Sequence, residues 1–191
     1  MKSKFSEALN LFQNGKLKKA KNICEEILKQ ETNNSQVCNL YAFTLYYLKK
    51  FDAAVEYWSK AIKINPNYIE AYNGRGNAFI ELQKLDEAII NFNQAIKINP
   101  NYFEAYNNLG NVFIKLQKLD EAIINFDQAI KIKPNYAQAY HGKAYTLMKS
   151  LKLDEAIINF NQAIKINPNY ANAYNNMGST LNQLGQWDEA I

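Results

Sequence analysis

The sequence predicts an all-α protein built from repeated helix-turn-helix units, and three observations lead to this fold class. The segment 84–102 recurs without change at 152–170. Small and apolar residues within each copy are spaced i, i+4, i+7, which places them on one helical face. A fixed period of this length is typical of an array that repeats one supersecondary unit. The period is also marked by the four prolines, which lie 34 residues apart in copies of I-N/K-P-N-Y: Pro66, Pro100, Pro134 and Pro168.

The period divides the chain into six repeats within a single predicted domain, 1–191. The first repeat is degenerate, but Ala8, Gly15 and Ala20 remain in register, and the last repeat is truncated. Each repeat is predicted to contain two helices that pack on each other and on the next repeat. The predicted boundaries are 1–34, 35–68, 69–102, 103–136, 137–170 and 171–191.

The first helix of a repeat is illustrated by residues 69–81. Asn67 and Glu70 have the three-residue spacing of a capping box, so we expect the helix to begin near this asparagine. Asn101 with Glu104, and Asn135 with Gln138, repeat the arrangement. The predicted packing face carries Tyr72, Gly76 and Phe79.

The second helix is predicted to follow the Asp86–Glu87 pair. The two carboxylates suit the positive end of the helix dipole, and Lys97 suits the opposite end. Pro100 cannot continue a helix and marks its termination. The packing face of this helix carries Ala88, Phe92 and Ala95, and the small residues expected where helices approach closely are Gly76, Gly110, Gly178, Ala88, Ala122 and Ala156.

These motifs resemble the tetratricopeptide repeat family. The resemblance implies a right-handed superhelical α-solenoid. Arg75 and Lys143 depart from the pattern, because they occupy the place that Leu109 fills in the fourth repeat. Gln83, Gln117 and Leu151 stand in helix-connecting turns where Gly15 and Gly185 are more typical. A non-glycine residue there must tolerate the backbone of the turn, so these turns are expected to differ slightly in geometry. The family signature of aromatic, Leu-Gly, aromatic, Ala, aromatic and Pro is present as Tyr106, Leu109, Gly110, Phe113, Ala122, Phe126 and Pro134.

Composition excludes several other classes of protein. No apolar run approaches the roughly 18 residues that span a bilayer, and the N-terminus does not read as a secretory signal. Cys24 and Cys38 lie at packing positions and are predicted to be buried thiols. We therefore predict a cytoplasmic protein.

Charge and motif content argue against nucleic-acid binding and catalysis. Repeat 1 carries a balance of +3 and the remainder of the chain only +1, so no basic stripe follows the array. The lysines of repeat 1, Lys16, Lys18, Lys19 and Lys21, are read as a solvated surface, with an acidic partner or membrane as the alternative. His141 is the only histidine, and no phosphate-binding loop is present. We predict no catalytic residue, no metal site and no cofactor.

The remaining feature is a polar stripe on the first helices, beside the packing face. The resemblance implies that these helices line a concave groove that holds an extended peptide. Asparagine suits this role because its amide offers a donor and an acceptor to a peptide backbone; an Asn-rich composition is the competing explanation. The predicted groove residues are Asn73, Asn77, Asn107, Asn108, Asn111, His141, Tyr145, Asn175 and Asn176.

Two family comparisons refine the expected ligand. In chaperone-binding members these helices carry a clamp of lysine, arginine and asparagine. The matching positions here are Asn39 and Phe43, Gly74 or Asn108, and Glu104, so the cationic part is missing and a clamp for a terminal carboxylate is not expected. The placement of Asn108 and Asn176 is more similar to the asparagine ladder of the O-linked N-acetylglucosamine transferases.

Three functions remain open at the level of sequence. The first is a non-catalytic scaffold that binds an extended peptide or a partner protein. The second is a substrate-presenting N-terminal arm of a larger, glycosyltransferase-like modifying enzyme. The third is a self-assembly module, because repeat 6 stops at 188–191 without a polar cap and would expose Leu181, Leu184 and Trp187 for a homo-oligomer.

Overall fold

The computed structural model describes residues 2–185 of the chain. Within that range all regular structure is helical and no strand occurs, which confirms the all-α prediction. The helices are α1 (Lys2–Gln13), α2 (Leu17–Gln30), α3 (Ser35–Tyr47), α4 (Phe51–Ile64), α5 (Ile69–Glu81), α6 (Leu85–Ile98), α7 (Phe103–Lys115), α8 (Leu119–Ile132), α9 (Ala137–Lys149), α10 (Leu153–Ile166) and α11 (Ala171–Leu184).

The helices are arranged in two compact units, an N-terminal unit of residues 1–100 and a C-terminal unit of residues 101–191. In the N-terminal unit, α1 packs on α2, α3 on α4 and α5 on α6, and each pair contacts the next. In the C-terminal unit, α7 packs on α8, α9 on α10, and α11 on α10. Helix α9 also contacts both α7 and α11, so the first helices of this unit are neighbours.

The turns inside the pairs adopt a left-handed backbone conformation. Gln83, Gln117 and Leu151 each have φ of 59°, and Lys49 has φ of 58°. Gly15 adopts the same region with φ of 70°. The non-glycine residues thus adopt the same left-handed region as glycine, at a steric cost, with φ slightly smaller than at Gly15.

The first helices begin near the predicted asparagines, two residues after them, but the predicted capping box is wrong. Helix α5 begins at Ile69, and its N-cap is Tyr68, which makes no side-chain capping hydrogen bond. Tyr102 and Tyr136 hold the same position before α7 and α9, also without a side-chain bond. Only before α3 does an asparagine cap the helix in this position: Asn34 Oδ1 accepts from the Val37 N–H at 3.1 Å. The repeated asparagine therefore lies in the loop, one residue before the cap.

The second helices follow the predicted charge order. Asp86 and Glu87 lie in the first turn of α6 and Lys97 lies in its last turn. The helix ends at Ile98, two residues before Pro100. The acidic pairs are exposed at helix starts, as expected for charges that stabilise the helix dipole.

Close helix packing is made possible by glycines set against buried aromatic rings. Phe126 on α8 is fully buried between α7 and α9. A methyl group at Gly110 would lie 2.6 Å from the ring, and one at Gly142 would lie 2.4 Å from it. In the N-terminal unit, a methyl group at Gly74 would lie 2.5 Å from the Trp58 ring. Glycine is required here by proximity rather than by backbone conformation.

The two cysteines are buried and free, as predicted. Both belong to the hydrophobic core of the N-terminal unit. Burial raises the pKa of the Cys24 thiol to about 12, and the charge of Glu25 adds to the shift. Burial also raises the pKa of Cys38. Neither thiol is ionised at neutral pH.

Candidate functional site

The predicted groove residues are divided between the two units. Asn73 and Asn77 lie on α5 of the N-terminal unit, one turn apart on one helix face. The other seven lie in the C-terminal unit, and the neighbouring helices α7, α9 and α11 carry Asn107, Asn108, Asn111, His141, Tyr145, Asn175 and Asn176.

Burial varies strongly among these side chains. Asn111 and Asn175 are exposed, and Asn107 retains only 6% of its accessible surface. The others are half-buried: Asn73, Asn77, Asn108, His141, Tyr145 and Asn176. Exposed amides at Asn111 and Asn175 are therefore the most accessible polar groups of the predicted stripe.

His141 is held in place by contacts across to α11 and the loop before it. Its Nε2 lies 3.0 Å from the Asn176 amide nitrogen. The ring packs 4.9 Å from that of Tyr170 and 5.8 Å from that of Phe160. Burial lowers the pKa of His141, partly offset by a hydrogen bond with the Asn172 backbone. The neutral imidazole can accept a hydrogen bond from the Asn176 amide.

Asn39 in the N-terminal unit occupies the same repeat position as His141. Its Oδ1 accepts a hydrogen bond of 2.9 Å from Trp58 Nε1. Asn39 also hydrogen-bonds to the side chain of Tyr68, whose pKa is nevertheless raised, chiefly by burial and then by the charge of Glu70. The polar atom at this position is thus satisfied by neighbours in both repeats.

Asn107, at the same position on α7, differs from both. Its Oδ1 is buried and has no hydrogen-bond partner among the described residues. Glu104 Oε2, one turn earlier on the same helix, is likewise buried and without a partner. These are two acceptor atoms that the protein leaves unsatisfied.

The sequence interpretation missed the tyrosines that end each I-N/K-P-N-Y phrase. Tyr170 stacks against His141, and Tyr136 lies 4.8 Å from the Phe103 ring. Burial raises the pKa of Tyr136, with the charge of Glu104 as the next cause. The sequence analysis assigns these tyrosines no role, although an aromatic residue directly before each first helix could have indicated that it borders the polar stripe.

The sequence interpretation also missed polar contacts that link each first helix to the second helix before it. In three repeats, the side chain at the position equivalent to Arg75 contacts a side chain sixteen positions earlier in the sequence. Tyr41 donates to Glu25 at 2.5 Å and Lys143 Nζ lies 2.6 Å from Asp127. Arg75 donates to Ser59 at 3.0 Å and also to Asn91 at 2.7 Å.

These contacts explain the departures of Arg75 and Lys143 from the family pattern. Asp127 is the one change in an otherwise identical second helix, and it occurs in the copy that is followed by Lys143. That coincidence was the available sequence signal. Arg75 has no ion pair among the described residues, and burial lowers the pKa of its guanidinium.

The predicted C-terminal surface is only partly as expected. Leu181 is buried, with 3% of its surface exposed, so the expectation that it is open for pairing is wrong. Leu184 is half-buried. Trp187 and the Asp188–Glu189 pair lie outside the described residues.

Residues 2–185 also lack two other kinds of feature, a metal-binding group of side chains and a membrane-spanning helix. No group of three or more His, Cys, Asp or Glu side chains in residues 2–185 is placed to hold a metal ion. No helix in the same range combines the length and apolar character needed to cross a membrane.

Helix pairs in series, glycines set against buried rings and a polar face on the first helices define a helix-turn-helix repeat protein. Family models described as TPR repeat match residues 44–83, 76–117 and 152–185, and the tetratricopeptide repeat model matches 103–136. These matches cover more than half of the chain, which therefore belongs to the tetratricopeptide repeat family.

Individual relatives agree on the fold. Human tetratricopeptide repeat protein 6 is 38% identical over 48 residues, which is 25% of this chain and only 9% of that protein. The crystal structure of PilW, a type IV pilus biogenesis factor, gives a TM-score of 0.89 at 22% identity, covering 99% of this chain and 87% of PilW. YrrB, described as a protein with an unusual peptide-binding site, gives 0.67 at 21% identity, covering 88% and 87% of the two chains.

Proposed function

We propose that the protein is a non-catalytic scaffold that binds an extended peptide segment of a partner protein along α7, α9 and α11. The observation that carries the proposal is the adjacency of these helices: α9 contacts both α7 and α11. Their polar stripes therefore form one surface, with Asn111 and Asn175 exposed on it. Amide groups of this kind can pair with the N–H and C=O groups of a peptide backbone.

Two further observations favour this function. The second helices α6 and α10 are identical in sequence and α8 differs from them at one residue, whereas the first helices differ from repeat to repeat. In repeats 3 to 5 the variation is thus concentrated on the first helices, as differential recognition by those helices requires. YrrB, which has a similar fold, is described as having a peptide-binding site.

The experiment compares the double variant Asn111→Ala/Asn175→Ala with the control Asn161→Ala. All three asparagines are exposed, so circular dichroism should show unchanged helicity in both proteins. Each is used to select from a display library of random peptides. We expect the double variant to lose most of the peptide capture seen with the wild type and the control to retain it. Equal capture by the double variant and the wild type would contradict the proposal.

The substrate-presenting arm and the self-assembly module remain predictions from the sequence. So do cytoplasmic location and the absence of catalysis and nucleic-acid binding. None of these is needed for the peptide-binding proposal.

A further inference from the structure

The unsatisfied acceptors of α7 lie on the face that carries the proposed peptide site. Glu104 and Asn107 are three residues apart, so their side chains are neighbours on one side of the helix. Asn111, one turn beyond Asn107, is exposed on that side. Asn107 is 94% buried, and its Oδ1 and Glu104 Oε2 have no hydrogen-bond donor within the described residues. A buried acceptor without a donor is costly, and native proteins rarely leave one.

Other repeats show how this acceptor is normally satisfied. Asn39 receives the indole N–H of Trp58 on its own second helix. His141 has its Nε2 beside the Asn176 amide of the next first helix. For Asn107, the position of Trp58 is occupied by Phe126 and that of Asn176 by Gly142. Neither residue has a side-chain donor, so neither of the hydrogen bonds that satisfy Asn39 and His141 can form at Asn107.

Packing maintains this arrangement. Phe126 is fully buried, and a methyl group at Gly142 would lie 2.4 Å from its ring. A side chain at residue 142 therefore requires the Phe126 ring to shift, although asparagine is accommodated at the equivalent positions, Asn108 and Asn176, sixteen residues after Phe92 and Phe160. No residue of the described range 2–185 supplies the missing donor, so a bound ligand is a candidate source.

The charge of this site indicates which donor it fits. No ion pair of the described residues includes Glu104. The nearby Lys133 ammonium is placed over aromatic rings instead, 4.2 Å from the centroid of Phe103 and 5.5 Å from that of Tyr136. One carboxylate, one amide oxygen and an aromatic side chain together suit a cation that also donates hydrogen bonds.

We propose that Glu104 and Asn107 form a subsite for the basic side chain, lysine or arginine, of the bound peptide. This inference rests on the proposed function and adds the chemical class of the ligand. Glu104 is half-buried as a residue, so rotation of its side chain can bring the carboxylate to the surface where the peptide lies. The incoming N–H groups then bond to the carboxylate and to Asn107 Oδ1.

The test sorts the same peptide library against the wild type, Glu104→Gln and Glu70→Gln. Glu70 holds the equivalent position on α5 but is exposed, so its variant controls for loss of one negative charge. We expect the wild type and Glu70→Gln to enrich peptides with lysine or arginine. Glu104→Gln should bind the enriched peptides about tenfold more weakly, as for loss of a charged hydrogen-bond partner. Acetylation of a peptide lysine should have the same effect.

A second variant, Phe126→Trp, restores the donor that Asn39 receives from Trp58. Trp58 fits against Gly74 in that repeat, so the equivalent ring against Gly142 has a structural precedent. We expect the variant to remain folded and to lose preference for basic peptides, because Asn107 is then satisfied internally.

The outcomes separate this inference from the function on which it rests. A wild-type protein that enriches no peptide at all contradicts the proposed function and the subsite together. Enrichment of peptides without a basic residue, or equal affinity of Glu104→Gln and the wild type for basic peptides, contradicts the subsite alone. Loss of basic preference in Glu104→Gln, with binding of other peptides retained, supports it.

Discussion

Two helix junctions, one in each unit, solve the same packing problem with different side chains. Where α4 meets α5, Trp58 packs on Gly74, and the next residue, Arg75, donates a hydrogen bond to Ser59. Where α8 meets α9, Phe126 packs on Gly142, and Lys143 pairs with Asp127. In both, a glycine meets a ring and the next residue is a cation that reaches back to the preceding helix.

The difference shows which features of a repeat can vary. The contact between ring and glycine fixes how closely the helices approach, and it is retained in both junctions. The polar groups around it change: Trp58 donates to Asn39, whereas Phe126 offers nothing to Asn107. The exchange of tryptophan for phenylalanine therefore removes one of the two donors that satisfy this repeat position elsewhere.

The largest expected effect comes from breaking the shared contact. Gly142→Ala places a methyl group 2.4 Å from Phe126, which is fully buried and cannot move freely. We expect a loss of about 1–3 kcal/mol in the free energy of unfolding. Gly74→Ala should cause a similar loss through Trp58. Chemical denaturation combined with hydrogen exchange of the affected helices measures both, and Gln138→Ala, at an exposed site on α9, is the control. Unchanged stability in both glycine variants would contradict the claim that the contact between ring and glycine fixes how closely the helices approach.

A smaller effect should separate the two cations. Arg75→Leu leaves the acceptor of Asn91, which is 4% exposed, without its donor, so we expect a loss of about 1–3 kcal/mol. Lys143→Leu removes an ion pair whose Asp127 side chain is 50% exposed, so about 0–1 kcal/mol is expected. Leucine is a natural choice because Leu109 occupies the same position.

Ionic strength distinguishes the hydrogen bonds of Arg75 from the ion pair of Lys143 with Asp127. In denaturation series at increasing ionic strength, the effect of Lys143→Leu should shrink because exposed pairs are screened. The effect of Arg75→Leu should persist, since its partners are neutral. A larger effect for Lys143 than for Arg75 would contradict this assignment.

The smallest expected effect is a pH dependence confined to the C-terminal unit. Burial lowers the pKa of His141 below its ordinary value of 6.5. The folded state then binds fewer protons than the unfolded state, so the stabilisation is complete above pH 6.5 and decreases as the pH falls through the folded pKa. Denaturation between pH 7.5 and pH 5 tests this. His141→Asn, which introduces the residue found at Asn39, should remove that component; an identical pH profile would argue against it.

Much of the fold follows from the sequence, because helix packing repeats with the period. The 34-residue recurrence located the helix pairs, and the positions of Gly15 and Gly185 indicated turns whose backbone is left-handed in the structure. The capping box failed for a local reason: Tyr68 and its equivalents occupy the N-cap, and the asparagine lies one residue earlier. A spacing rule cannot distinguish neighbouring loop residues when both are compatible with a turn.

The site was less predictable, because it depends on contacts between repeats. The polar stripe could be read from one helix at a time, but the burial of Asn107 and the exposure of Asn111 could not. Whether Asn107 has a donor depends on Phe126 and Gly142, which lie on two other helices. Comparing one position across repeats would have found the absent donors, although not that the oxygen is buried.

The buried cysteines give the protein a practical advantage for spectroscopy. Cys24 and Cys38 are the only two thiols of the chain, and both are protected inside the core. Because neither forms a thiolate at neutral pH, a cysteine introduced at an exposed site beside the proposed peptide surface, such as Ser179 on α11, can be labelled selectively. A fluorophore there would report ligand occupancy directly, with no need to remove the native cysteines first.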